Sequence, residues 1–383
     1  MVQLANYVRA LRRKDGGRAM KIFVTSAYQY WGDFLPTDLR DPACTRQVGG
    51  GETAMVSIAR ELAARGHQVT VFYDVRRPGT YEGVEYLPTA LYPNLVCMRD
   101  HDVLVSWDAP MAFRYSDRAR AHILAFQLND SQVGVFGHAV DKYFHPSKWH
   151  ADRFTQLYGE LDKRRMRWTL TNGLDLRRYT DQLATTAKVD GQIIYSSSPD
   201  RGLHHLLRMW PTIREAVPTA TLEIYYDLDK WLNLTFDLEQ QGYQLHTADR
   251  AHYINDVRKA GLEGVTWHGG VGQWQLANAQ LHAHMMVYPC DPVQPTEGFS
   301  MTCLEALAAG CHLITSTADA LPELWSSMPD TTLLPLPVED GVWVDAIVRV
   351  LGAPHAQARV PEDYTWAALA EVWEKELEQC LSN

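Results

Sequence analysis

With 46% hydrophobic and 21% charged side chains, a chain of 383 residues has the composition of ordinary globular protein and length for two domains, each able to bury a core. A net charge of −10 and a pI near 5.8 exclude a protein whose business is non-specific nucleic-acid binding, which needs a broad basic face. The six cysteines, at 44, 97, 290, 303, 311 and 380, form no C-x-x-C pair, and four sit in apolar or helical contexts that suit buried thiols, so neither a zinc site nor a disulfide framework is expected. No apolar run nears the ~18 residues of a membrane span and no signal-peptide core is present, so a cytoplasmic protein is expected.

The first 19 residues set Arg9, Arg12, Arg13, Lys14 and Arg18 among a few apolar side chains. They read either as a frayed extension before a domain that starts near Met20 or as a short amphipathic helix for a membrane surface. Residues 21–25 then form a strand-like run, after which the chain alternates. A long loop ends in Gly49-Gly50-Gly51, residues 52–65 place Met55, Ala59, Leu62 and Ala63 on one helical face, Gly66 stops the helix, and residues 68–73 make a second strand. This is a βαβ unit. Its glycines are either a flexible loop or an anion-accepting turn that something approaches closely. Apolar strands follow at 102–106 and 122–127, then a helix within 147–159 carrying Trp149, Phe154 and Leu157.

The phrase Asn172-Gly173-Leu174-Asp175 opens a polar segment that reads as linker as far as Gly191. Beyond it the alternation resumes with strand 192–196, helix 201–215 stopped before Pro218, strand 221–226, an irregular stretch, a helix around 254–260, strand 264–268, helix 273–283 and strand 285–288, closed by Pro289. A last helix runs from Tyr364 to Cys380 with Trp366, Leu369 and Trp373. Two βα series joined at a hinge predict two doubly wound domains, with a ligand in the cleft where the carboxyl ends of the strands face each other. The pairs His204-His205 and His282-x-His284 each fit one exposed and one buried helix position, and no metal is assigned to them.

The stretch 289–315 carries the most chemistry. Ser300 stands where an N-cap would, Met301, Leu304, Leu307 and Ala308 recur at helical spacing, and Gly310 falls where a helix stops. Glu297 lies on the approach to this helix and Glu305 inside it. Eight residues of helix rise ~12 Å and turn the second side chain ~80° from the first, so the pair cannot grip one atom but can grip two parts of a long ligand. Between them Gly298, Phe299 and Ser300 open the helix, where unpaired amides and the positive dipole end favour an anion. A carboxylate for hydroxyls, an amide cradle for phosphate and a second carboxylate describe a sugar, diphosphate, ribose ligand. The spacing by itself fits equally a solvated loop carboxylate at 297 and the exposed side of an amphipathic helix at 305.

The wording E-G-F-S-M-T-C-L-E-A-L-A-A-G resembles the E-x7-E segment of retaining GT-B glycosyltransferases, especially the large family 4, with Ser300 in place of the usual glycine. The run G-G-G-E-T-A-M-V-S-I-A-R-E-L-A-A-R-G-H-Q-V-T-V is similar to that family's first glycine loop and helix, and Asn172-Gly173-Leu174-Asp175 resembles the N-G-x-D near its hinge. The resemblance implies an α/β protein of GT-B architecture, two doubly wound Rossmann-like domains facing a cleft, with the C-terminal helix crossing back to the first. The implied division is an extension at 1–19, an acceptor-side domain at 20–171, a hinge at 172–191, a nucleotide-sugar-binding domain at 192–360 and the returning helix at 361–383.

By the same resemblance, Arg201 matches a diphosphate-binding lysine, while the arginine that usually precedes it is replaced by serine in Ser196-Ser197-Ser198. Glu297 would hold sugar hydroxyls and Glu305 the ribose, with Gly50, Gly51, Gly298, Phe299 and Ser300 about the donor and Gly270-Val271 against its nucleobase. Where the family often has a His-Asp pair that meets the transferred sugar, this chain has Asn129-Asp130, with His138 nearby. The implied activity is metal-independent, retaining transfer of a hexose, without a cofactor, from a nucleoside diphosphate sugar to a carbohydrate, lipid-linked glycan or other hydroxyl acceptor, in the cytoplasm or peripherally at the inner membrane face. A GT-B sugar phosphorylase, a nucleotide-sugar epimerase and an inactive sugar-nucleotide sensor remain open alternatives.

Overall fold

The computed structural model describes residues 19–26, 32–115, 117–127, 139–159, 165–168, 172–357 and 364–382. The basic stretch before residue 19, Asn129, Asp130 and His138 lie outside them. The chain forms two compact units, one of Met1–Leu39, Val48–Leu174 and Glu362–Asn383, the other of Arg40–Gln47 and Asp175–Pro361.

In the first unit β1 (Lys21–Ser26) buries every side chain but Lys21, as a central parallel strand covered on both faces does. After it come α1 (Gly50–Ala64), β2 (Gln68–Phe72), β3 (Gly79–Tyr81), β4 (Val84–Leu87), α2 (Tyr92–Met98), β5 (Val103–Trp107), β6 (Ala121–Ala125), β7 (Lys142–His145), α3 (Lys148–Tyr158) and β8 (Met166–Trp168). The sheet order is β3-β4-β2-β1-β5-β6-β7-β8, parallel throughout except for the β3–β4 hairpin. An aromatic core with Phe23, Phe72, Tyr92, Phe113, Phe126, Tyr143 and Phe154 fills one side.

The second unit holds α4 (Arg177–Leu183), β9 (Val189–Tyr195), α5 (Leu203–Ala216), β10 (Thr221–Tyr225), α6 (Leu228–Gln240), α7 (Ala248–Ala260), β11 (Val265–Gly269), α8 (Gln273–His282), β12 (Ala283–Tyr288), α9 (Met301–Ala308), β13 (His312–Ser316), α10 (Leu321–Trp325), β14 (Thr331–Leu334) and α11 (Asp340–Leu351). Its sheet is wholly parallel, in the order β11-β10-β9-β12-β13-β14. The last helix, α12 (Trp366–Ser382), belongs to the first unit, where it packs on α1. Trp373 stacks on Trp107 at 5.8 Å and meets Phe144 edge-on, while Glu374 joins His67 at 2.9 Å. Gly173 fits here because a Cβ would stand 2.7 Å from Leu369 and 3.0 Å from Trp366.

Several sequence expectations change. The segment read as linker contains α4 and the first residues of β9, since Arg178 and Tyr179 are buried rather than solvated. The irregular stretch after β10 holds α6, started by Asp227, whose side chain accepts from the Lys230 amide at 3.1 Å. Strands β3, β4, β7 and β8 were not anticipated, because three or four residues are too few to show a period. In α3 the buried face is His150, Ala151 and Phe154, and Leu157 is exposed. Three of the cysteines, Cys290, Cys303 and Cys311, are buried. Among the described residues no helix is long and apolar enough to cross a membrane.

Candidate functional site

The second sheet reverses its winding between β9 and β12, so the loops leaving the carboxyl ends of those two strands diverge and open a crevice. Gly202 lies on the first loop at φ +102, and a Cβ there would stand 1.8 Å from the carbonyl oxygen of Pro289 on the second. Only glycine allows that approach. It brings Arg201 to Glu297, with Nη1 donating to Oε2 at 3.1 Å, while the Tyr288 hydroxyl donates to the same oxygen at 2.9 Å. The Nε of Arg201 is 3.2 Å from Asp200. The Asp319 carboxylate fixes the second loop from beneath, accepting from the amides of Thr296 and Glu297 at 2.8 and 2.9 Å.

Glu297 is 7% exposed, which rules out the solvated-loop alternative. Burial raises its pKa, and the Arg201 charge and the Tyr288 hydrogen bond work against that rise. Burial pulls Arg201 the other way, but Glu297, with Tyr288 and Asp200, leaves its pKa above the ordinary value, so the guanidinium stays charged.

Glu305 is also 7% exposed and has an arginine of its own. Arg178 on α4, 2% exposed, lies 3.5 Å from Oε1 and also donates to Gln273. Burial raises the Glu305 pKa, opposed by Arg178 and by a hydrogen bond from Gln280. Gln280 accepts from the Tyr179 hydroxyl at 3.0 Å and donates to Ser196 at 3.4 Å, and Ser196 meets Thr302 at 2.6 Å. The serine that stands where a second arginine was expected is thus tied to the first turn of α9, and the guanidinium nearest Glu305 is that of Arg178 on α4.

Between the two carboxylates α9 begins. Ser300 occupies the N-cap position, yet its side chain makes no capping hydrogen bond, so its hydroxyl does not satisfy the leading amides. Phe299 packs edge-on against Trp325 at 5.6 Å. Glu297, Gly298, Phe299, Ser300, Glu305 and Arg201 therefore belong to one region at the carboxyl ends of β9 and β12.

The other expected residues are placed differently. A Cβ on Gly270 would come within 2.6 Å of Gln47 and 3.1 Å of Asp227, and one on Gly272 within 1.8 Å of the Cys44 carbonyl. Gly272 is therefore required by the backbone of the segment Arg40–Gln47 of the same unit, and Gly270 lies against the Gln47 side chain, whether or not a nucleobase also meets them. His268, exposed on the edge strand β11, pairs with Glu223 at 2.6 Å and stacks on Tyr225. In the first unit Gly50 starts α1 and Gly49 is its N-cap. A Cβ at Gly51 would make only ordinary contact with Gln127 at 3.8 Å, so no described residue of the unit demands glycine there.

Residues 191–352 match the model of a family described as Glycosyl transferases group 1. No curated protein matches the sequence. Solved structures that are similar over nearly the whole chain include AviGT4, a glycosyltransferase involved in avilamycin A biosynthesis, at TM-score 0.62 and 14% identity over 95% of this chain and 98% of that one. The sucrose-phosphate synthase of Thermosynechococcus elongatus gives 0.60 and 15% over 94% and 95%. HepE of Anabaena, solved with UDP, gives 0.57 and 14% over 95% and 98%. The fold is GT-B. Arg178, Tyr288, Gln280 and Asp319 are the residues of this region that the sequence reading missed. Arg178 and Tyr179, three and four positions past Asp175, carried a faint helical signal inside what reads as linker.

Proposed function

We propose that this GT-B protein is a retaining, metal-independent glycosyltransferase that moves a hexose from a nucleoside diphosphate sugar to an acceptor hydroxyl. The observation that carries the reading is the buried Arg201–Glu297 pair at the switch point of the second sheet, beside the α9 amides that Ser300 leaves uncapped. In this reading the donor diphosphate meets the Arg201 guanidinium and the amides about Gly298–Ser300. Charge gathers on the leaving phosphate oxygen as the glycosidic bond lengthens, and donors already aimed at that oxygen need no reorganisation. Glu297 holds Arg201 and offers its free oxygen to sugar hydroxyls, and Glu305 with Arg178 faces the ribose. No cofactor takes part. UDP in the HepE complex and the description of the matching family support a nucleotide-sugar donor. The acceptor is a carbohydrate, a lipid-linked glycan or another hydroxyl compound, met in the cytoplasm or at the inner membrane face.

A thermal-shift panel of UDP-, GDP-, ADP- and dTDP-sugars tests this. One donor at a hundred times its dissociation constant adds ~2.7 kcal/mol to folding stability. A flat response to every donor would sink the transferase reading.

A further inference from the structure

The amino ends of the strands of the second unit form an edge remote from Arg201 and Glu297. β12 alone has six residues, so the two edges lie ~20 Å apart. At this remote edge Asp190 at the start of β9, His284 at the start of β12 and His355 in the segment after α11 come together, with one ligand atom of each within 4.8 Å of the others. His284 is 2% exposed, and neither of its ring nitrogens has a hydrogen-bond partner among the described residues. A buried imidazole left so is costly unless something else satisfies it. His355 stands edge-on to it at 4.5 Å and lies 2.8 Å from Asp190. His312, on β13, has its ring 6.0 Å from that of His284 and its Nε2 3.0 Å from the Pro354 carbonyl.

We propose that Asp190, His284 and His355 bind one divalent transition-metal ion, zinc being the best fit, with water in the fourth position. Two imidazoles and a carboxylate are a donor set for zinc rather than for magnesium or calcium, which take oxygen ligands. Zinc bonds of ~2.0–2.2 Å in a tetrahedron put ligand atoms ~3.3 Å apart. Small rotations of the exposed Asp190 and part-exposed His355 side chains close the remaining distance. The nearby Lys188 ammonium is turned to the carbonyls of Gln280 and Ala283, at 3.3 and 2.7 Å. The ion would staple the segment after α11 to the amino ends of β9 and β12 and satisfy His284. The second His/Asp cluster, His204, His205 and Asp291, is a poorer choice, because Arg208 lies 2.9 Å from His205 and Arg250 3.7 Å from Asp291, where they repel a cation.

The test uses untagged full-length protein, stripped with a chelator and titrated with zinc by calorimetry. Binding of one zinc per chain is expected, with a melting temperature raised by a few degrees on saturation. Asp190→Asn and His355→Ala, both at exposed or part-exposed positions, should weaken binding at least about tenfold while leaving the far-ultraviolet circular dichroism unchanged. His204→Ala should leave the titration as it is. No zinc binding, wild-type affinity in both the Asp190 and His355 variants, or loss confined to His204→Ala would each overturn the proposal. Donor binding by the stripped protein reads the transferase proposal separately, since the zinc cluster lies at the other edge of the sheet.

Discussion

Replacing Glu305 by glutamine separates a ligand-binding carboxylate from a structural one. The amide is nearly isosteric and can still bond Gln280, but it removes the charge 3.5 Å from Arg178. At an effective dielectric of about 20 that attraction is worth ~4–5 kcal/mol. Burying each ion costs several kcal/mol in return, and the raised pKa of Glu305 means that burial outweighs the attraction, so near neutral pH the variant should lie within about 1 kcal/mol of wild type. The pH dependence has a definite sign. The Glu305 pKa is raised in the folded state by burial. Its contribution is therefore fully present below the ordinary glutamate pKa and lost as pH rises through the higher folded value. The wild-type advantage over Glu305→Gln should shrink between those two values. If Glu305 also accepts ribose hydroxyls, donor affinity falls by about 1–3 kcal/mol, a factor of roughly 5–150. Melts across pH and calorimetric titration with the donor found in the panel measure the two effects independently. A destabilised variant that binds donor as well as wild type would make Glu305 a packing residue only, and a stability gap that widens with pH would refute the dominance of burial.

Arg201→Met should lower turnover ~10²–10³-fold, the usual loss on removing one preorganised donor to a developing oxyanion, with Arg201→Lys intermediate because a point charge replaces a fork; a full-rate methionine variant would exclude Arg201 from the chemistry. Gly202→Ala should destabilise the protein by several kcal/mol through its φ of +102 and the clash with Pro289, whereas Gly51→Ala should cost under about 1 kcal/mol; equal melts for the two would contradict the loop contact. Purified enzyme with its donor should slowly release free sugar and nucleoside diphosphate without acceptor, at a rate that EDTA leaves unchanged; a chelator-sensitive rate would argue against metal-independent transfer.

The order of elements was legible where apolar runs were long. β1, α1, β2, β12 and α9 fall within two residues of their expected bounds, because a strand buried on both faces and a helix with a wide apolar stripe each leave an unmistakable period. Failures came where the signal is physically weak. α4 spans seven residues with two arginines and an aspartate, and its burial rests on Arg178 and Tyr179, side chains that read as solvated unless their partners Glu305 and Gln280 are known. Glycines were legible as constraints but not as to what constrains them. Gly173 answers to Leu369 and Trp366, Gly272 to Cys44, and Gly202 to Pro289, all tertiary neighbours distant in sequence.

The pairing of each carboxylate with its own arginine bears on how a donor would be met. The resemblance implies an arginine before Arg201 that this chain lacks, which in the proposed reading weakens the charge facing a diphosphate. In the folded unit a second guanidinium is present, carried by α4 and aimed at Glu305. Both guanidiniums are held by carboxylates before any ligand arrives, and with Asp200 and Asp319 also present the carboxylates outnumber the guanidiniums around the start of α9. A diphosphate would shift that balance. Arg201, already charged and partly shared with Asp200, can turn toward phosphate without crossing a large distance, and the Glu297 oxygen that bonds Tyr288 keeps that partner when Arg201 turns away. Arg178, 2% exposed, has no such freedom. In the proposed reading Arg201–Glu297 is the pair that responds to the diphosphate while Arg178 stays on Glu305, so the donor-binding loss in Glu305→Gln should be smaller than that in Arg201→Met.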